Sequence, residues 1–480
     1  MSDMKATVEP TSKGFSVCGY EKIEYDFEFL DNVFDVNNRQ LAQCYKPWKR
    51  CLAVMDLNIF NLYGQQLQDY FDHHGIALQV HKTMIGEKAK TMDTMLSIVD
   101  SMTEFGIIRK EPVLVVGGGL VTDVAGFACA AYRRNTNYIR IPTTVIGLID
   151  ASVSIKVAVN YGNYKNRLGA YHCPIHTFLD FTFLRTLPVS QIRNGFAELI
   201  KISSCADIET YNLLVEHCED LIATAFGRND DASEELKDAA NRICRNAIHE
   251  MLKLETPNLH EIMLDRVIAY GHTWSPMHEL VPETPLRHGH AISIDMAYSA
   301  TLSHLRGLIT TEEHGRILSL FSRAGLSMDH PQFDGPLLKK ATEAILKTRD
   351  GKLRAAVPAS PMGKCVFLND VSHEEMCNAL AVHKRHMSKY PRAGAGIDAY
   401  VDVSDTGYKL QDKKTENGVH RHSSNGNVGS NGIKNGISNP RKSSGHADGM
   451  GRISSGLKDE ANGLNGAIFN AIAVESVSRP

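Results

Sequence analysis

One carboxylate and two imidazoles stand out in the 480-residue sequence as a possible metal site. Glu198 lies in NGFAELIK, His272 in AYGHTWSP and His288 in RHGHAISIDM. Glutamate and histidine are suitable zinc ligands, and three protein ligands leave coordination positions open for substrate oxygens. A single histidine is more often structural than a ligand, and periodicity does not separate His290 from His288. Glu198 also shares a helix face with Lys201, a pattern that an exposed face would give without any function.

A glycine cluster provides a second possible site, suited to a phosphate. Gly117, Gly118 and Gly119 follow the apolar run VLVV, and Asp123 precedes the helical segment VAGFACAAY. Glycines at a strand-to-helix turn let backbone N–H groups approach a pyrophosphate at the positive end of a helix dipole. A tight turn without a ligand is the alternative. Asp56 ends the preceding apolar run, where it can accept ribose hydroxyls or cap a helix.

The segment IPTTVIGLIDASVSIKVAVNYGNYKNRLGAYH is dense in polar groups with apolar neighbours. Lysines have little reason to occupy such surroundings unless they meet a phosphate or a carboxylate. Solvated loop lysines are the alternative interpretation. The polar positions of interest are Thr143, Thr144, Asp150, Lys156, Lys165 and Asn166.

The elements that must position these residues follow an α/β pattern. CLAVM, VLVV and YIRIP are short apolar runs typical of buried strands. Between the first two, apolar residues from Met92 to Phe105 recur at helical spacing. Strand, helix and strand in this order predict a parallel sheet. We therefore expect an α/β fold, with a Rossmann-like parallel-sheet domain over 14–188 that carries the glycine turn and a mostly α-helical domain over 189–390 that carries the candidate metal ligands.

The two ends of the chain and its bulk composition complete the expectation. Residues 1–13 are predicted to be flexible, and 391–480, rich in Gly, Asn and Ser, to be a disordered tail. The first residues lack the apolar core of a secretory signal, and no run is long enough for a membrane helix. A net charge of -3 gives no reason to expect nucleic acid. Ten scattered cysteines suit the cytoplasm.

Several motifs in one order give the chain a family resemblance. GGGLVTDVAGFACAAYRR, IPTT, IDASVSIK, KNRLGAYH, TLP, NGFAELIK, GHTWSP and RHGHA occur between about Asp56 and Pro358. In this the chain resembles the sugar-phosphate cyclase superfamily, whose best-known branch is 3-dehydroquinate synthase. The resemblance implies an NAD- and metal-dependent carbon–oxygen lyase, with zinc or cobalt held by Glu198, His272 and His288.

The same resemblance implies roles for further residues. NAD contacts are expected from Asp56, Glu87, Lys90, Gly117, Gly118, Gly119, Asp123, Thr143, Thr144, Asp150, Lys165 and Thr186. Substrate-site residues are expected at Lys156, Asn166, Lys201 and Lys347. Arg134 matches an arginine that reaches the neighbouring subunit's phosphate site, which implies a homodimer. The implied reaction oxidises an alcohol transiently with NAD, eliminates phosphate, returns the hydride and closes a carbocycle by an intramolecular aldol step.

Departures from 3-dehydroquinate synthase bear on the substrate. Pro276 stands where that enzyme has a second histidine, and Asp265 and Ala269 replace an arginine and an asparagine. An aspartate repels a substrate carboxylate and an alanine offers it no partner. The chain thus resembles the branch that uses sedoheptulose 7-phosphate. The pairing of AYGHTWSP with FAELIKISSCA is closest to the members that begin mycosporine pathways, whose product has lost one more water than epi-valiolone.

Three alternatives stay open at this point. A 2-epi-5-epi-valiolone synthase is the nearest one, although such enzymes typically carry an aspartate at the position of Ala269. A metal-dependent alcohol dehydrogenase shares a related two-domain architecture and is distinguished by net NADH production. A non-catalytic binding protein that kept the fold is the third, and the complete ligand triad argues against it.

Overall fold

Strands alternate with helices in the first part of the chain, and helices dominate after residue 188. The computed structural model describes residues 4–83, 86–162, 164–348 and 350–402, together with Asp405. Its strands are β1 Met4–Thr11, β2 Gly14–Glu21, β3 Asp26–Phe29, β4 Arg50–Asp56, β5 Ala77–Thr83, β6 Val113–Gly117, β7 Tyr138–Pro142, β8 Lys156–Tyr161, β9 Tyr164–Tyr171, β10 His176–Leu179, β11 Ala355–Ala359 and β12 Lys364–Leu368. Its helices are α1 Gln40–Tyr45, α2 Leu57–His73, α3 Met92–Phe105, α4 Gly119–Ala131, α5 Val189–Ala206, α6 Ile208–Glu216, α7 Cys218–Ala223, α8 Glu234–Glu255, α9 Ser275–His278, α10 His288–Leu305, α11 Thr311–Arg323, α12 Gly335–Thr348 and α13 His373–Met387.

The central sheet has six parallel strands in the order β3-β10-β7-β6-β4-β5. The three apolar runs predicted as strands are confirmed as β4, β6 and β7, and every residue of β6 and β7 is buried. Alternate side chains of β4 pack on opposite faces: Met55 joins the apolar cluster of α2, and Val54 joins that of α3 and α4. Helices therefore cover both faces, which is why these strands are apolar throughout.

The predicted crossover helix is confirmed as α3. The Thr91 side chain caps it by accepting a hydrogen bond from the N–H of Thr94, and the helix ends at Gly106, whose φ of 68° is left-handed. A hydroxyl cap and a left-handed glycine are the usual signals for the two ends of a helix. The Rossmann-like α/β prediction thus holds in both topology and local detail.

The helical part is built around α5 and α10, which pack against each other. The residues from Gly289 to Ser303 of α10 are all buried, so this helix runs through the interior. One apolar cluster joins α5, α8 and α10 to Val145, Ile149 and Leu184 from the first part of the chain. Helix α5 begins directly after residue 188, where the sequence predicts a domain boundary, and the apolar core is continuous across that position. No helix in the described part is long and apolar enough to span a membrane.

The N-terminal residues form a hairpin where the sequence analysis expected a flexible segment. Strands β1 and β2 pair antiparallel, with Val8 opposite Val17 and Pro10 opposite Phe15. Apolar and polar residues alternate along both strands, so one face of the hairpin is apolar. Val8, Phe15 and Val17 are 64%, 79% and 71% exposed. We call this surface the hairpin face. Residues 1–3 lie outside the described part.

The segment after α13 corrects the predicted start of the tail. Residues 396–402 with Asp405, which we call the strap, lie against the region around α10. The N–H of Arg287 donates to the carbonyl of Ala399 at 2.8 Å, and that of Val401 to Pro285 at 3.0 Å. Gly396 lets the strap pack closely against His290 and Ser327, because a Cβ at this position would lie 2.5 Å from both His290 Nδ1 and Ser327 Oγ. The tail prediction from residue 406 onward falls outside the described residues.

Candidate active site

A cavity of about 1580 Å³ lies at the carboxyl end of the parallel sheet. Its walls come from the residues after β4 and β6, the β8–β9 hairpin, and helices α5, α9 and α10. The order in which strands are added to the sheet reverses at β4, because β5 lies on one side of β4 and the next strand, β6, lies on the other. Ligands of open α/β sheets bind in the crevice at such a point. The fold therefore creates a ligand site there.

Most of the predicted site residues line this cavity. They are Asp56, Glu87, Lys90, Gly118, Gly119, Asp123, Thr143, Thr144, Asp150, Lys156, Lys165, Asn166, Thr186, Glu198, His272 and His288. Lys201 lies directly behind them, paired with Asp150 and Glu198. Gly117 ends β6 and does not itself line the cavity. Residues from both sequence halves thus meet in one place.

The three predicted metal ligands form a compact group at one end of the cavity. One ligand atom from each of Glu198, His272 and His288 lies within 4.8 Å of the others. Glu198 projects from the buried face of α5, and His288 is the first residue of α10. His290 is fully buried, and its Nδ1 lies 2.9 Å from Ser327 Oγ, away from this group. The structure therefore brings His288, and not His290, to Glu198.

Both imidazoles turn the same ring nitrogen toward Glu198. His272 has Nδ1 3.2 Å from the carbonyl of Tyr270 and Nε2 3.8 Å from Glu198 Oε1. His288 has Nδ1 3.1 Å from Glu279 Oε2 and Nε2 3.0 Å from Glu198 Oε1. A metal-binding histidine usually donates its other N–H to a carbonyl or a carboxylate. The donor set therefore fits a divalent metal such as zinc.

Charges inside this group compensate one another. Burial favours the neutral acid, but Lys201 and His288 hold the pKa of Glu198 well below its usual value. Burial likewise opposes a charged ring, but Glu279 and Glu198 raise the pKa of His288 to about 9. Burial lowers the pKa of His272 to about 3, so that ring is neutral at pH 7. Metal ligation needs a neutral imidazole, so His272 is ready to bind, whereas His288 would release a proton when a metal binds.

A short π-helical turn positions Asp150 beside the metal group. The turn spans Gly147–Ala151, and such turns occur frequently at functional sites. Lys201 Nζ lies 2.7 Å from Asp150 Oδ2 and 2.6 Å from Glu198 Oε2. Burial raises the pKa of Asp150 to about 6, an effect that Lys201 opposes. Lys201 thus joins the candidate metal ligand to an acid in the cavity wall.

The glycine turn fits a dinucleotide at the other end of the cavity. Gly118 precedes the first residue of α4, and a Cβ there would lie 3.1 Å from Thr144 Cγ2. The buried Thr143 hydroxyl lines the cavity and has no hydrogen-bond partner among the described residues. Asp56 caps α2, accepting from the N–H of Asn58 at 2.6 Å, while it also lines the cavity. A close-approach turn, a helix N-terminus and an unpartnered hydroxyl together suit NAD.

The predicted cavity lysines meet carboxylates, so they are not simply solvated loop residues. Lys165 Nζ lies 2.7 Å from Glu279 Oε1 and 3.4 Å from Glu87 Oε1. Lys156 Nζ is paired with Glu255 and Glu261, each at 3.0 Å. Lys90 Nζ lies 2.6 Å from Asp123 and 2.5 Å from Asn166 Oδ1. These partners hold the cations in the cavity wall.

Besides Gly117 and Lys201, four further predicted positions lie outside the cavity wall. Arg134 and Lys347 are exposed. Asp265 pairs with Arg354 at 2.6 Å, and Ala269 is 6% exposed in the helical core. Neither Asp265 nor Ala269 lines the cavity, so their influence on substrate choice stays a prediction.

The structure also brings in residues that the sequence analysis missed. Glu279, Glu261 and Arg266 line the cavity, as do Arg287 and Asp405. For Glu279 the one available signal is its position between the two candidate ligands His272 and His288. Its partner Lys165 lies far away in sequence, so spacing alone does not reveal the pair.

Comparison with known proteins agrees with this geometry. Two family models match the chain. The model of the 3-dehydroquinate synthase N-terminal domain matches residues 80–194, and that of the C-terminal domain matches residues 195–349. A demethyl-4-deoxygadusol synthase from Trichormus variabilis is 55% identical over 400 residues, which are 83% of this chain and 97% of the relative. A 2-epi-5-epi-valiolone synthase from Actinomyces sp. is 37% identical over 75% of this chain and 94% of its own.

A solved structure extends the comparison. The 2-epi-5-epi-valiolone synthase from Streptomyces hygroscopicus subsp. jinggangensis, with NAD+ and Zn2+ bound, superposes with a TM-score of 0.72 at 36% identity. The match covers 77% of this chain and 99% of that one. Matching family models, high sequence identity and a shared fold lead to one conclusion. The chain belongs to the 3-dehydroquinate synthase family of sugar-phosphate cyclases.

Proposed function

We propose that this enzyme converts sedoheptulose 7-phosphate into demethyl-4-deoxygadusol, as an NAD- and metal-dependent carbon–oxygen lyase. The observation that carries the proposal is the 55% identity to a demethyl-4-deoxygadusol synthase across 97% of that protein. The valiolone synthases are more distant, at 33–38% identity. Synthesis of 2-epi-5-epi-valiolone is therefore the second candidate.

The cavity residues support a division of roles. Glu198, His272 and His288 would hold the metal, and the turn at Gly118 and Gly119 would hold the NAD pyrophosphate. When bound, NAD supplies a hydride acceptor and donor, and the metal favours the ionised form of a substrate alcohol. A relative with NAD+ and Zn2+ bound supports both assignments.

The cations around the cavity suit a phosphorylated substrate. Lys156 and Arg266 both line the cavity, and each contacts the carboxylate of Glu261. A lysine and an arginine side by side are suited to bind a dianionic phosphate group. Lys201, Asp150 and Asn166 lie where they would hold hydroxyls and orient proton transfers. Lys347 remains a further proposed substrate contact.

One experiment tests the proposal. The purified protein is incubated with sedoheptulose 7-phosphate, NAD and zinc, and the product is identified by its mass and ultraviolet absorbance. We expect demethyl-4-deoxygadusol with no accumulation of NADH, because the hydride returns within each turnover. Accumulating NADH would favour a dehydrogenase, and efficient formation of dehydroquinate from its own precursor would overturn the substrate assignment. Epi-valiolone as sole product would establish the second candidate.

We also propose that the enzyme is a homodimer in which Arg134 reaches the partner's phosphate site. Arg134 is exposed and does not line the cavity of its own chain. The exposed apolar hairpin face around Phe15 and Val17 offers a surface for a second copy. Light scattering tests the assembly. Arg134→Met should lose activity while it stays dimeric, and a monomeric, fully active protein would contradict the proposal.

We propose the cytoplasm as the place where the enzyme works. All ten cysteines are free, and Cys51, Cys129 and Cys244 are among the buried ones. Thiols that persist in this number suit a reducing compartment. Localisation of a fluorescent fusion tests this, and accumulation in an oxidising compartment would contradict it.

A further inference from the structure

Glu279 contacts both a candidate metal ligand and a cavity lysine. Its Oε2 lies 3.1 Å from Nδ1 of His288, and its Oε1 lies 2.7 Å from Nζ of Lys165. The side chain is only 4% exposed. Each carboxylate oxygen therefore has its own partner, and both partners line the cavity.

The contact to His288 decides which ring nitrogen is free. A carboxylate is acceptor-only, so Nδ1 must carry the proton that it shares with Glu279. The other nitrogen, Nε2, also faces a carboxylate, Glu198 Oε1 at 3.0 Å, so it is the Nε2 proton that a metal would replace. In metalloproteins such a carboxylate fixes both the tautomer and the orientation of the ligand.

The contact to Lys165 explains how the buried carboxylate of Glu279 is held in place. A buried carboxylate needs a charged or hydrogen-bonding partner, and Lys165 supplies one from the β8–β9 hairpin. Lys165 also contacts Glu87, 3.4 Å away, so its ammonium group lies between two acids. These contacts join side chains from four separate parts of the chain, namely Glu87, Lys165, Glu279 and His288.

We infer that Glu279 is a positioning residue that holds His288 in the tautomer and orientation needed for metal binding and ties that ligand to Lys165. The inference rests on the proposed metal site of Glu198, His272 and His288. The inference extends that proposal, because Glu279 would not bind the metal itself but would act on it through His288. Glu279 also connects the metal end of the cavity to the β8–β9 hairpin.

The test measures zinc affinity of the whole protein by competition with a chromophoric chelator. In Glu279→Gln the amide must present its oxygen to the Lys165 ammonium, so its NH2 group faces Nδ1 of His288. That arrangement favours the proton on Nε2 and blocks ligation. We expect zinc affinity to fall by about 10- to 100-fold, the usual effect of losing such a partner. Glu279→Asp keeps the charge on a shorter chain and should restore part of the affinity.

Glu111→Gln is the matched control. Glu111 is fully buried, and its two oxygens accept from Nε and Nη2 of Arg50 at 2.8 Å each. This variant should be less stable to heat yet bind zinc as the wild type does. Zinc affinity within about twofold of wild type in both Glu279 variants would overturn the inference while leaving the metal site intact. A wild-type protein that binds no zinc would instead overturn the proposed metal site and the inference together.

Discussion

Nη2 of Arg287 lies 2.7 Å from Oδ2 of Asp402, so the strap neutralises a cation that directly precedes the candidate ligand His288. Arg287 is 1% exposed, and Asp405 approaches the same nitrogen at 3.1 Å. Asp405 also accepts from Nε2 of Gln191 on α5. A guanidinium that is buried without such partners destabilises the folded protein. The strap thus stabilises the start of α10, on which the position of His288 depends.

Truncation should separate the strap from the rest of the tail. A chain that ends at residue 395 loses both carboxylates, which costs about 3 kcal/mol or more because the Arg287 charge stays buried. We expect it to lose zinc affinity and turnover, whereas a chain that ends at residue 412 should keep its rate within about threefold. Equal activity of the two truncated chains would show that the strap does not support the site.

The glycine turn gives a second prediction, on cofactor affinity. A Cβ at Gly118 would lie 3.1 Å from Thr144 Cγ2 and would occupy the approach to the N-terminus of α4. Gly118→Ala should weaken NAD binding by about tenfold or more, since backbone N–H groups must come close to the pyrophosphate. Calorimetric titration with NAD measures the change.

Gly315→Ala on α11 is the control for this experiment. A Cβ at Gly315 meets no atom within 4 Å, so NAD affinity should stay at the wild-type value. If Gly118→Ala binds NAD with wild-type affinity, the dinucleotide does not bind at this turn.

The sequence was most informative where local pattern decides structure. The strand β6 and the helix α3 follow from apolar runs and periodicity, and the candidate ligands Glu198 and His272 follow from residue type within a family motif. Glu279 was missed because its partner Lys165 is 114 residues away, a distance that no local pattern bridges.

Composition is misleading at both ends of the chain. The alternation that builds β1 and β2, with Val8 opposite Val17, is visible in the sequence but lies in a segment for which we predict flexibility. Composition averaged over many residues places the strap in the predicted tail, because the average hides a short stretch that forms specific contacts. Asp402, which pairs with Arg287, is one of its members.

A buried aspartate should make stability depend on pH in a defined direction. Asp295 accepts the N–H of Trp274 at 2.6 Å and that of Ser275 at 2.8 Å, and burial raises its pKa to about 6. In the unfolded chain the pKa is about 4, so between these values the folded state binds more protons. Its contribution to stability is therefore present at low pH and is lost as the pH rises through about 6.

Urea unfolding of wild type and Asp295→Asn tests this dependence. From about pH 7.5 to about pH 5 the wild type should gain about 1 kcal/mol relative to the variant, which cannot titrate. The exposed Asp238→Asn on α8 serves as the control, with a difference from wild type that changes little over the same range. A constant difference for Asp295→Asn would show that this carboxyl has an ordinary pKa.

The last prediction concerns the carboxylates that occupy the proposed phosphate site. Lys156 Nζ lies 3.0 Å from both Glu255 and Glu261, and Glu261 also pairs with Arg266. A substrate phosphate must compete with Glu261 for both cations, and removing one anionic competitor strengthens binding of the other. We therefore expect Glu261→Gln to lower KM for sedoheptulose 7-phosphate by about threefold or more, with kcat little changed. Glu250→Gln is the control, because Glu250 pairs with Lys253 at 2.8 Å elsewhere on α8. Steady-state kinetics on both variants decide the matter: a higher KM in Glu261→Gln would mean that Glu261 orients Lys156 for the substrate and does not compete with it.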